Sequence, residues 1–159
     1  MKIGQRRLGE HIQFLAPLFG LIAAVWALRL ILAIAHAPHF LIHYCSVTAA
    51  GSISILLAVL LIYFKKFGGY ANVAASAVLL HFWEQLLISA AIAFDMLAGT
   101  QNVYSATEFA RRMTPLQHLL SHLTIGFAFG SLVGTAMGCL LLWMLRKLVP
   151  PETFDKSGR

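Results

Sequence analysis

Residues 40–64 read FLIHYCSVTAAGSISILLAVLLIYF, with Lys65-Lys66 directly behind them. The run contains no Asp, Glu, Lys or Arg. A helix crossing the hydrocarbon core of a bilayer needs about 20 predominantly apolar residues. Strands of a membrane β-barrel are shorter and alternate in polarity, which this run does not. Lipid offers the backbone no hydrogen-bond partners, so a lone segment of this length must satisfy itself as a helix. Reading Phe40–Phe64 as a membrane span therefore decides the fold class.

Three more runs share its character: Phe14–Ala35, Ala71–Phe94 and Leu116–Leu145. The chain of 159 residues is 59% hydrophobic and 11% charged. Soluble domains carry about 25% charged residues, so an ordinary soluble enzyme, a disordered chain and a disulfide scaffold are excluded. The expectation is one all-α transmembrane domain over 1–159, an integral-membrane four-helix bundle. The net charge of +6 does not signal nucleic acid, because the basic residues sit at the ends of apolar runs and form no patch.

Nine of the 12 Lys and Arg residues fall on one side of this arrangement. They are Lys2, Arg6, Arg7, Lys65, Lys66, Arg146, Lys147, Lys156 and Arg159. The positive-inside rule then places both termini and the 65–70 loop in the cytoplasm, with loops 36–39 and 95–115 outside. A multi-pass protein of a bacterial inner (plasma) membrane is expected. Ala35-His36-Ala37 resembles a signal-cleavage site, but the run before it is too long and carries Arg29, so no cleavage is expected. Cys45 and Cys139 should differ in depth by more than about 20 Å and so cannot pair.

Pro38 and Pro115 both suit the first position of a helix. Thr114-Pro115-Leu116-Gln117 reads as a capping box opening the fourth span. Ser105-Ala106-Thr107-Glu108 reads as another, opening a short outer interfacial helix over about 106–113. A repeat is also visible. His39/His43/Gly51 and His118/His122/Gly130 recur at one offset, on two inward-running spans that each end in a basic pair. Two helical hairpins related by a parallel repeat would produce this pattern.

Five histidines gather at the outer ends of the spans: His36, His39, His43, His118 and His122. The i,i+4 spacing of His39/His43 and of His118/His122 puts each pair on one helical face. Such pairs could hold a transition metal or, with one ligand from each helix, a b-type haem. Deeper in the spans lie Arg29, His81 and Glu84. Charge at such depth costs several kcal/mol unless paired or wet. Matched depth on two outward-running spans predicts an Arg29–Glu84 ion pair. Gly126, Gly130, Gly134 and Gly138 recur every four residues and predict close approach of another helix.

No Walker loop, nucleophile elbow, CxxC or His-Glu-x-x-His motif is present. With little extramembrane mass and no catalytic signature, the expected role is a noncatalytic subunit or assembly factor of a larger membrane complex. Two alternatives follow from the polar residues. One is a metal- or haem-binding redox protein using the outer histidines. The other is a small ion or solute transporter, acting as an oligomer through Arg29, His81 and Glu84. The expected partners are the lipid bilayer and either other membrane subunits or further copies of the chain.

Overall fold

The computed structural model describes residues 2–4, 6–100, 102–105 and 113–148. A short antiparallel hairpin, β1 (Lys2–Ile3) and β2 (Arg6–Arg7), leads into α1 (Leu8–Ile34). Then come α2 (His39–Tyr44), α3 (Val47–Phe64) and α4 (Tyr70–Ala98). The last helical run is α5 (Pro115–Ser121), a π-helical turn (His122–Gly126) and α6 (Phe127–Leu148). The fold is all-α, with four helical stretches long and apolar enough to cross a membrane. Each leaves large apolar side chains exposed, among them Leu28, Phe64, Phe82 and Leu132. A multi-pass membrane protein fits such a surface, since water would not tolerate it. The interfacial helix expected near 106–113 falls almost wholly on 106–112, outside the described residues, as does the tail from 149.

The helix ends follow local chemistry. α1 starts at Leu8, earlier than its apolar run, because Glu10 accepts a hydrogen bond from the Arg7 N–H at 2.6 Å and pairs with Arg6 at 3.2 Å. Carboxylates in a first turn satisfy orphan N–H groups. At α5 the expected capping box is present: Thr114 N–H donates to Gln117 Oε1 at 2.9 Å, and Gln117 N–H to Thr114 Oγ1 at 3.2 Å. The second span is not one helix. It breaks at Cys45-Ser46, where Ser46 Oγ accepts from the Ala49 N–H and restarts the chain as α3. Pro38 stands just before α2 as its cap instead of inside it.

Two helices end with a non-glycine residue in the left-handed region, His36 after α1 and Lys66 after α3, each at φ 50°. Ala37 N–H reaches Leu32 O, and Phe67 N–H reaches Ile62 O. These six-to-one bonds are Schellman closures, which favour glycine at the left-handed position. A left-handed residue with a Cβ costs roughly 1 kcal/mol. Lys66→Gly is therefore expected to raise stability by about that amount, read as a higher unfolding temperature in detergent. Lys66→Ala, which removes the same charge without the freedom, should give no gain.

α4 occupies the centre, packed against α1, α3 and α6. Half of its apolar window is buried, against 11% for α1. Trp83 Nε1 donates to Phe19 O at 3.1 Å and ties it to α1. The hairpin, the α3–α4 turn and the end of α6 meet at one end of the bundle, hereafter the terminal end. There Arg6 Nε donates to Phe67 O, and Arg146 lies over the Tyr70 ring at 5.0 Å.

Candidate functional site

α4 carries seven buried polar residues: Asn72, Ser76, His81, Glu84, Gln85, Ser89 and Asp95. The exposed side of α4 is apolar, with Val78, Phe82 and Leu86 on it, so these polar groups turn inward and meet its neighbours. Those neighbours are bared by glycine where they face the larger groups. A Cβ built on Gly51 of α3 would fall on Glu84 Oε2, and one on Gly130 of α6 would come 2.9 Å from the His81 ring. Cβ atoms on Gly134 and Gly126 would approach His81 at 3.2 Å and Gln85 Oε1 at 3.1 Å. Gly138 lies against Val73 and Val59. Each of the four glycines from 126 to 138 thus receives a side chain from α3 or α4. The paired offset noted in the sequence acquires a meaning at Gly51 and Gly130: the two flank one His–Glu pair.

Glu84 stands at the midpoint of α4 and is fully buried. His81 Nδ1 lies 3.1 Å from Glu84 Oε2. The contact is close enough for an ion pair but misaligned for a hydrogen bond, and both atoms lack a hydrogen-bond partner. From the other carboxylate oxygen a chain runs toward the end of the bundle opposite the terminal one, the far end. Gln85 Nε2 donates to Glu84 Oε1 at 3.5 Å, and Gln85 Oε1 faces His122 Nδ1 at 2.8 Å. His122 Nε2 meets His118 Nε2 at 3.2 Å.

Donor and acceptor roles follow from this sequence of contacts. An amide oxygen only accepts, so His122 donates through Nδ1 and accepts at Nε2. His118 then donates through Nε2. Every donor from His118 inward points toward the Glu84 carboxylate. His118 lines a cavity of about 250 Å³ at the far end, together with Asp95, Thr100 and Ser105. The chain therefore joins a polar pocket at the bundle end to a carboxylate at its centre.

The expected Arg29–Glu84 pair does not form. Arg29 instead lies over the Tyr104 ring, 5.0 Å from its centroid, in the segment that returns after α4. Tyr104 OH donates to Trp26 O at 3.2 Å, and burial pushes its phenol pKa up. Depth matched, but depth does not specify azimuth: Glu84 faces α3, and α1 turns Arg29 toward the loop. The outer histidines also divide. His118 and His122 come together, whereas His39 and His43 stack on each other at 6.5 Å on the exposed α2. His36 is the exposed left-handed residue closing α1. Among the described residues no three His, Cys, Asp or Glu side chains group as a metal site. Cys45 and Cys139 are free thiols, as their depths predict.

Sequence reasoning gave too little weight to Gln85, which links the histidines to Glu84. Asp95, near the end of α4, anchors the loop that follows, accepting from Thr100 Oγ1 and from the Asn102 N–H at 2.7 Å. The terminal-end lock was not foreseen either. There His11, fully buried, bonds to Arg7 O through Nδ1 and to Asn72 Nδ2 at 3.3 Å. An Asn at the start of an apolar run and a His three residues before another were its signals. Compared with protein families, curated proteins and solved structures, the chain has no match.

Proposed function

We propose that this is a small proton-handling membrane transporter, loading protons from the far end of the bundle onto the His118–His122 pair and the Glu84–His81 pair. The observation that carries the reading is the continuous run of side chains His118, His122, Gln85, Glu84 and His81. A buried carboxylate at mid-helix is a poor structural choice, because a buried ion pair is often no more stable than apolar residues of the same volume. Intramembrane Asp, Glu and His facing a bundle interior mark ion or proton pathways. The subunit or assembly-factor reading rests on the small extramembrane mass, the glycine row and the absence of motifs, and it takes these contacts as structural ones that fix helix register.

The chemistry is assigned by atom. A proton from the far-end cavity binds His118 Nδ1, and the Nε2 proton of the same ring moves to His122 Nε2. Gln85 does not relay a proton readily. It conveys the change by orientation, holding the His122 Nδ1–H on its oxygen and directing its own N–H at Glu84. Glu84 is protonated separately: a hydronium ion reaching the two orphaned atoms of the His81–Glu84 pair gives its proton to Oε2 and leaves as water. In membrane terms the basic terminal end is cytoplasmic by the positive-inside rule, so the cavity faces outward. Four helices with one polar layer form a thin pathway, which a second copy of the chain would complete.

The test is proton flux into proteoliposomes containing a pH-sensitive dye, under an imposed pH gradient. Flux should exceed that of empty vesicles. Glu84→Gln and His122→Gln should each slow it by about 10²-fold, the lower range for loss of a proton-transferring group. His39→Gln, on the exposed α2, should leave it unchanged. Parent flux equal to that of empty vesicles, or flux indifferent to Glu84→Gln, overturns the proposal.

A further inference from the structure

A cleft of about 200 Å³ opens sideways between α3 and α6, with His81 of α4 at its floor. Thr48 and Ser52 line one wall, Phe129 and Met137 the other. Phe129 and Met137 are 68% and 52% exposed, so the mouth lies on the apolar surface of the bundle. Gly130 makes the floor reachable, since any side chain there would cover the His81 ring. His81 is only 6% exposed, and its Nδ1 is turned to Glu84 Oε2 at 3.1 Å. Nε2 is the other ring nitrogen, and it lies against Gly130 and Gly134, which both line the cleft. That nitrogen, at the bottom of an apolar opening, suits a polar partner that arrives from the apolar phase.

We infer that this cleft binds the head of a membrane-dissolved compound bearing one neutral ring with hydroxyl or carbonyl oxygens, the phenol and quinone class. Three features select that chemistry. First, the lining holds no Lys or Arg, so an anionic phosphate head would be left uncompensated. Second, hydroxyls from Thr48 and Ser52 and the imidazole supply both donors and acceptors, which suits an oxygen-bearing neutral head. Third, Phe129 and Met137 present a π face and a thioether, contacts favoured by a flat ring. The volume is below the range typical of drug-sized ligands, and admits one ring with its tail left in lipid. The site rests on the cleft and is independent of proton movement.

Equilibrium binding of decylubiquinone to the detergent-purified protein at fixed pH tests the inference, with phosphatidylglycerol as competitor. Saturable binding of one molecule per chain is expected. His81→Ala should weaken it about tenfold or more, the loss of one good polar contact. Thr48→Leu and Ser52→Leu, at exposed positions where bulk does not disturb packing, should weaken it comparably by filling the cleft. A folded parent without saturable binding overturns the inference, and so does binding indifferent to all three variants. Displacement by phosphatidylglycerol with the same sensitivity to the variants would overturn the neutral-ring assignment. No pH gradient is applied, so failure here is distinct from failure of the flux measurement.

Discussion

Gly51→Ala should destabilise the bundle by about 1–3 kcal/mol, the usual range for overpacking, and should become stabilising when Glu84 is also changed to alanine. The new Cβ would fall on Glu84 Oε2. Either the carboxylate moves away from His81 or α3 separates from α4. Against this stands helix propensity, which favours alanine over glycine by up to about 1 kcal/mol inside a helix. Gly51 lies within α3, so both effects act at once and the steric one is larger. Truncating Glu84 removes the obstacle and leaves propensity alone, hence the change of sign. Reversible unfolding in mixed detergent micelles reads both backgrounds directly. An equal loss with and without Glu84 would show that this glycine makes no room for the carboxylate.

The second large effect concerns the pair itself. Removing one partner of a buried ionic contact costs about 3–5 kcal/mol. His81→Ala or Glu84→Ala alone should fall in that range. The double variant should cost less than the sum by about 0.5–3 kcal/mol, the span found for residues in direct contact. Arg29→Ala combined with Glu84→Ala should instead be additive within about 0.5 kcal/mol, because Arg29 rests on Tyr104. The same unfolding assay distinguishes the cases. Additivity at 81/84 together with coupling at 29/84 would reverse the assignment of partners.

Much of this architecture was legible in the residues. Helix length and apolarity are properties of a segment, so the four stretches appeared with ends within a few residues of those observed, save the start of α1, which a polar first turn carries back to Leu8. The box Thr114–Gln117 was legible for the same reason: its bonds span three residues. Segment-level reasoning fails where two segments meet. Depth along an axis follows from residue count, but the direction of a side chain around that axis does not. Arg29 and Glu84 shared a depth and missed each other for this reason. The break in the second span was hidden for a related reason, since Ser46 in an apolar run looks like a tolerated polar residue until it caps a new helix. The glycines from 126 to 138 were expected to receive a neighbouring helix. That Gly130 and Gly134 would receive an imidazole, and Gly51 a carboxylate, needed three helices in register at once.

The π turn at His122–Gly126 closes with the Phe127 N–H on His122 O, a loop one residue wider than an α turn. The stretch from 115 to 148 therefore holds one residue more than a regular helix would. Losing a single residue between 123 and 125 would remove that extra residue and let the turn close as a regular α turn. His118 and His122 would then keep nearly the same direction relative to α6. The same loss inside α6 would instead rotate everything before it by about 100°, swinging both histidines away from Gln85. For a descendant of this protein, one codon is expendable in that turn, whereas a codon lost a few residues further along would cut the far-end pocket off from the centre of the bundle.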